Sequence, residues 1–335
     1  MYSKLLLAAA VSVMAASGHS SPAESQTRLN MGSTSASSSY YSASVATAKI
    51  INSHVPEVSV TVVESGATYD NIKRTPHEFQ MSIPSAYSGL VEAYYGTGKT
   101  FKDKPNDKIR IMFGFVPSSI LFVVAKDSNV NGMSDLGSKG FYPGPTGNQT
   151  VAMSKKIMDL YKDKPDWYVG GFEDAIASYN NGRIVGFAKA GAGVQLDASM
   201  MQANASRPIK LISLTEKEVG EVVNGFPGMY PLMISKGQIT ALPEAEVRVP
   251  GQLIVAWTTS ELTEDVVYKM VKSVVENWET FVQAFPQAKS FNPVDDTIKA
   301  AAGVAQPVPL HAGVVKYFRE LGKTVPDKLV PPEAR

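Results

Sequence analysis

The chain has 335 residues, 44% of them hydrophobic and 19% charged. A chain of this length and composition is expected to fold as about two domains with real cores, which excludes a disordered tail protein or an integral membrane protein. Lys and Arg number 32 against 31 Asp and Glu, too balanced for a nucleic-acid surface, and zero cysteines remove disulfides, thiolate metal sites and cysteine nucleophiles.

The chain opens with Lys4, an apolar run over residues 5–16, and the small residues Ala15, Ala16, Ser17 and Gly18. This is the three-part layout of a secretory signal peptide, and the run is too short for a bilayer core of about 30 Å. A signal over residues 1–22 is expected, with cleavage between Ala16 and Glu24 and no cysteine at the junction to carry a lipid. A soluble, exported, periplasmic protein follows.

Beyond a polar stretch, strand and helix patterns alternate. Residues 28–31 read as a short strand and Tyr40 opens a helix on which Tyr41, Val45, Ala48 and Ile51 share a face. Val58, Val60 and Val62 alternate with polar residues, while residues 109–115, 120–125 and 209–214 are denser apolar runs. Helices are predicted over 150–161, over 172–180 with Gly182 closing, and over 264–285 as one long stripe from Val267 to Phe285. Such alternation predicts parallel sheet with helices on both faces.

Two phosphate-loop look-alikes fail. Gly98-Lys99-Thr100 has Ala93, and Gly322-Lys323-Thr324 has Tyr317, where the motif needs its first glycine, so both read as turns. No GxSxG, HExxH or GxGxxG is present. What recurs is an oxygen-rich loop between a strand and a helix. Residues 32–39 form one, residues 143–150 another, and 64–68 and 190–193 end strands in the same way. Helix N-termini expose unpaired N–H groups, so such loops can hold an anion without a basic side chain. Each alone reads as an ordinary cap or turn; four at strand C-termini point to a ligand cleft.

Several motifs share one order and spacing. Tyr40-Tyr41 follows a Gly/Ser/Thr loop, Val63-Glu64-Ser65-Gly66 follows the second strand, and residues 136–150 form a glycine-rich segment. Asp174-Ala175-Ile176 with Gly182, Tyr230-Pro231, Val267-Tyr268, and Pro309-Leu310-His311-Ala312-Gly313 with Tyr317 come later. With these marks the chain resembles a TAXI-type solute receptor, the extracytoplasmic binding subunit of a TRAP transporter, from Leu29 to about Lys323. It departs from that family at residues 35–39, at Ser42-Ala43-Ser44, at Pro84-Ser85, at Asn148-Gln149 and at Lys189, where aromatic or small residues are common.

The resemblance implies an α/β, two-lobe, type II periplasmic-binding-protein fold around a central cleft. Lobe 1 would comprise residues 27–121 plus 258–335, and lobe 2 residues 122–257. It implies capture of a small organic anion (a carboxylate, dicarboxylate or acidic amino acid) and delivery to sodium-coupled TRAP membrane subunits, by a monomer with no cofactor and no catalysis. Carried over position by position, the first lobe would line the cleft with Ser33, Thr34, Tyr40, Glu64, Ser65, Ser85, Tyr87 and Ser118. The second would bring Thr146, Gly147, Asn148, Gln149 and Thr150, with Gly191 near the hinge. On the residues alone, Tyr40 is open between ligand contact and core packing, and Glu64 between a ligand amine and a helix cap; Tyr41, Trp257 and Trp278 read as core and His311 as a helix N-terminal residue. The alternatives are a periplasmic enzyme on a related fold, which would need a triad or metal constellation not visible here, and a ligand-sensing protein, for which no connecting helix is expected after Arg335.

Overall fold

A computed structural model describes residues 26–34, 36, 38–144 and 149–335. Its first part contains β1 (Thr27–Gly32), α1 (Ser39–His54), β2 (Val58–Val63), α2 (Thr68–Arg74), β3 (Met81–Ala86), α3 (Tyr87–Tyr95) and the single turn α4 (Gly98–Phe101). The long β4 (Ile109–Ala125) leads into β5 (Gly140–Tyr142), α5 (Gln149–Met158), β6 (Asp166–Trp167), α6 (Phe172–Asn180), β7 (Gly186–Ala192), α7 (Ala198–Ser206), β8 (Ile209–Leu211), α8 (Glu216–Gly225) and β9 (Met229–Ile234). The returning β10 (Val247–Thr259) is followed by α9 (Glu264–Glu276), α10 (Trp278–Ala284), α11 (Asp295–Gly303) and α12 (Ala312–Glu320). None of the described helices is long and apolar enough to cross a membrane.

The strands form one sheet in the order β2-β1-β3-β10-β4-β7-β5-β6, with β8 on β4 and β9 on β10. β1 is parallel to β2 and β3, and β5 to β6 and β7, but β10 is antiparallel to β3, β4 and β9. The sheet is therefore mixed, not parallel throughout as the alternation predicts. Antiparallel pairing needs no crossover helix, and β10 simply runs back along β4.

β4 organises the cores. All of its residues are buried except Pro117, as expected of a strand covered on both faces. The part from Ile109 to Val116 joins one core with β1, β2, β3, residues 253–257 and helices α9 and α12. From Ile120 onward the side chains alternate between two further cores. Ile120, Phe122 and Val124 pack with Met153, Ile157 and Val222, while Leu121, Val123 and Ala125 pack with Ile176, Tyr179 and Met200.

Four details differ from the sequence pattern. The runs 109–115 and 120–125 are one strand, because Pro117, Ser118 and Ser119 between them pair with β10. Residues 190–192 continue β7 instead of ending it, held by pairing to Ser119 and Ile120 and by the Gly193 N–H on Pro117 O at 2.8 Å. The stripe over 264–285 breaks into α9 and α10 at Asn277, whose Nδ2 donates to Ser273 O at 2.8 Å in competition with the helix ladder. On α1 the buried face is Ala43, Thr47, Ile50 and Ile51, so Tyr41 and the 45% exposed Val45 point outward, into a surface groove of about 590 Å³ shared with Pro286.

Caps fix the helix ends as their chemistry dictates. Ser38 Oγ accepts from Tyr40 N at α1, and Thr215 and Glu218 form a capping box at α8. His311 caps α12: Nδ1 accepts from Gly313 N at 3.1 Å, which leaves Nε2 to donate to Leu262 O at 3.0 Å. Trp257 is fully buried, and half-buried Trp278 stacks on Phe281.

Candidate functional site

Parallel strands β1 and β3 end where β4 passes from the first core to the other two, and β7 ends at the same level, opposite Ser119. Polar groups from both sides converge there. Tyr40 Oη donates to Gly191 O at 3.3 Å, and Ser118 Oγ donates to the same carbonyl at 2.9 Å, using its two lone pairs. The Tyr40 ring stacks on Phe285 and meets Phe115 edge-on, so the residue serves packing and the polar crossing together. Burial pushes its hydroxyl well above the usual tyrosine range, keeping it a neutral donor.

A second cluster ties the ends of β1 and β2. Ser33 is fully buried; its Oγ donates to Ser44 Oγ at 2.5 Å, which in turn donates to Ile83 O. The Ser33 carbonyl accepts from Ser65 Oγ at 2.6 Å and from Asn71 Nδ2 at 2.9 Å. Thr34 is buried beside it, and Glu64 is exposed just past the end of β2. Ser85 and Tyr87 turn into the first core. Ser85 Oγ accepts from Trp257 Nε1 at 2.8 Å, and the Tyr87 hydroxyl accepts from Val308 N at 3.0 Å.

The third cluster lies at the start of α5. Ser88 Oγ sits 2.9 Å from Gln149 Oε1 and 2.7 Å from Gln252 Oε1. One hydroxyl proton serves one of them, so the other amide must turn its NH2 toward Ser88. With Gln252 turned, Gln149 accepts from Ser88 and its Nε2 faces Glu92 Oε1 at 3.4 Å, while Tyr69 Oη donates to Glu92 Oε2 at 2.6 Å. Burial raises the Glu92 carboxyl above its ordinary range, partly offset by the Tyr69 and Gln149 hydrogen bonds.

Of the positions carried over from the resemblance, Tyr40, Ser118 and Gly191 meet directly, Ser33 and Ser65 form a neighbouring cluster, and Gln149 reaches α3. Thr150 is buried in the first turn of α5; Thr146, Gly147 and Asn148 lie outside the described residues. Sequence reasoning missed Ser88, Glu92, Gln252, Tyr69 and Asn71. The available signal was a serine and a glutamate four apart in the apolar stretch Leu90, Val91 and Ala93. Lys189, noted as a departure, makes a close ion pair with Asp197 and stands 4.1 Å above the Phe172 ring. Burial alone would raise Asp197, but Lys189 and the Met200 N–H bring it below the usual carboxylate range.

The model of the NMT1-like family matches residues 31–322. The chain belongs to the NMT1-like family. No curated protein matches it. Among solved structures, a TctC solute-binding protein from Polaromonas is 12% identical and superposes with a TM-score of 0.50, over 89% of this chain and 98% of that one. XAC2383 from Xanthomonas citri, solved with ATP, is 8% identical with a TM-score of 0.50, over 88% and 96%. At these identities they establish the architecture of this NMT1-like chain: the two-lobe fold of solute-binding proteins, built on a mixed α/β sheet.

Proposed function

We propose that this NMT1-like protein is an extracytoplasmic solute receptor of the TAXI type, which captures a small organic anion between two lobes and delivers it to TRAP membrane subunits. Lobe 1 comprises residues 27–121 plus 258–335 and lobe 2 residues 122–257, joined by β4 and β10. The observation that carries this reading is the convergence of Tyr40 and Ser118 on Gly191, with Gln149 reaching Ser88, at the strand ends where separate cores meet. Ligands of open α/β sheets bind at such strand ends.

The start of α5, with its N–H groups and the hydroxyl of Thr150, supplies positive potential for an acid group. Closure buries the ligand's polar contacts away from water and is favoured by differential affinity for the closed form. Residues 1–22 act as the export signal and place the receptor in the periplasm, where it works as a monomer without cofactor or catalysis.

The test is a ligand-stabilisation screen of the purified protein over organic acids, sulfonates, amino acids, sugars and cationic metabolites. The expected result is a rise in melting temperature with one acid class, confirmed by calorimetric titration. A best ligand that is a sugar or a cation overturns the anion assignment, and stabilisation by none of the panel counts against the receptor reading.

A further inference from the structure

Glu92 is only 4% exposed and, among the described residues, has no cationic partner. Every element packed on it offers a neutral group. Tyr69 comes from α2, Ser88 lies one turn back on α3, and Gln149 comes from α5. Gly98 of α4 leaves room for the carboxylate, since a Cβ there would lie 2.6 Å from Glu92 Oε2; the neighbouring Lys99 is exposed and makes no ion pair with it. Gln252 of β10, 5% exposed, completes the chain through Ser88. α3 packs in the first core and α5 in the second, so Gln149 bridges bodies that a two-lobe receptor separates when it opens.

We propose that Gln149, seated on Ser88 and Glu92, is a latch between the lobes whose strength is set by the charge on Glu92. This rests on the two-lobe capture reading and adds a regulation to that same cleft. Opening carries Gln149 away from α3 and lets water reach Glu92, which then ionises in the ordinary carboxylate range. Closing buries the group among neutral partners, where a charge is disfavoured. A carboxyl that is harder to ionise when closed takes up a proton on closure. Acid therefore favours the latched state, and rising pH loosens it. By the same linkage, a ligand that closes the lobes binds more tightly at lower pH unless its own titration opposes this.

The chain has no cysteine, so Lys73→Cys on α2 and Lys155→Cys on α5, both exposed, accept spin labels cleanly. Interlobe distances are read on the ligand-free protein between about pH 4.5 and pH 8, from the ordinary carboxylate range upward. The expected result is a shift of the distance distribution toward short distances in acid and toward long distances as pH rises. Glu92→Gln should remain closed at every pH, while Gln149→Ala and Ser88→Ala should open at both ends of the range. Thermal melts of each variant separate opening from unfolding. Distances that do not respond to pH in the parent, or that still respond in Glu92→Gln, overturn the latch even where a ligand closes the lobes and the capture reading stands. Distances that respond to pH and to the variants but to no ligand support the latch and overturn capture.

Discussion

Tyr40 and Gly191 are 151 residues apart in the chain, yet the tyrosine hydroxyl donates to the glycine carbonyl at 3.3 Å. Tyr40→Phe removes that bond and keeps the stack on Phe285. Stability should fall by about 0.5–1.5 kcal/mol in urea denaturation. Affinity for the ligand found by screening should fall as well if, as proposed, the Gly191 carbonyl joins the two sides of the cleft; an unchanged titration would leave Tyr40 a packing residue only.

Ser85 separates a core role from a cleft role. Its Oγ accepts from the indole N–H of Trp257 at 2.8 Å, and both side chains are buried. Ser85→Ala orphans the indole, so denaturant unfolding should show a loss of about 1–3 kcal/mol. A variant of unaltered stability that binds ligand poorly would return Ser85 to the cleft.

His311 gives the fold a pH response. Burial is the largest influence on the ring and lowers its proton affinity, partly offset by the bond to Leu262. The unfolded chain then binds the proton first. The contribution of His311 to stability is complete above the ordinary histidine value of about 6.5 and is lost as pH falls below it. His311→Asn keeps a capping oxygen and removes the titration. Melts from pH 7.5 to about pH 5 should therefore show the parent losing stability faster than the variant.

Gly313 lies where α12 crosses α9. A Cβ there would lie 2.3 Å from Glu264 O and 2.5 Å from Tyr268 N, both backbone atoms that cannot yield locally. Gly313→Ala should cost at least about 3 kcal/mol, the upper end of overpacking penalties, and lower the urea midpoint accordingly.

Local chemistry made much of the scaffold legible. The valine alternation marked β2, the hydroxyl-rich loop ahead of Tyr40 placed the start of α1 within one residue of Ser39, and Gly182, at φ +72°, closed α6 as its position foretold. Long-range pairing was not legible in the same way. Pro117-Ser118-Ser119 look like a strand break, and only their partners on β10 and β7 keep them extended. Asn277 looks like any polar residue on a helix face until its amide takes the Ser273 carbonyl. At the site, hydroxyl-rich strand ends were visible, whereas Glu92 was hidden. A buried carboxylate is read from its neighbours, and here they come from α2, α4 and α5.

The two passages between cores are hydrogen-bonded to each other, with β4 from Ile109 to Ser119 registered against β10 from Gly251 to Thr259. Such a paired crossing is a ribbon and not a pair of tethers. A ribbon bends and twists but does not lengthen, so in the proposed two-lobe receptor it would hold the separation of the lobes while their orientation changes. Pro117 has no N–H to give to that ribbon, and the register slips between Ile254 and Val255 close by, so in the proposed receptor bending is expected at this level, beside the candidate cleft. Small-angle scattering of the ligand-free protein should accordingly fit a narrow family of shapes related by rotation, with no extended dumbbell among them.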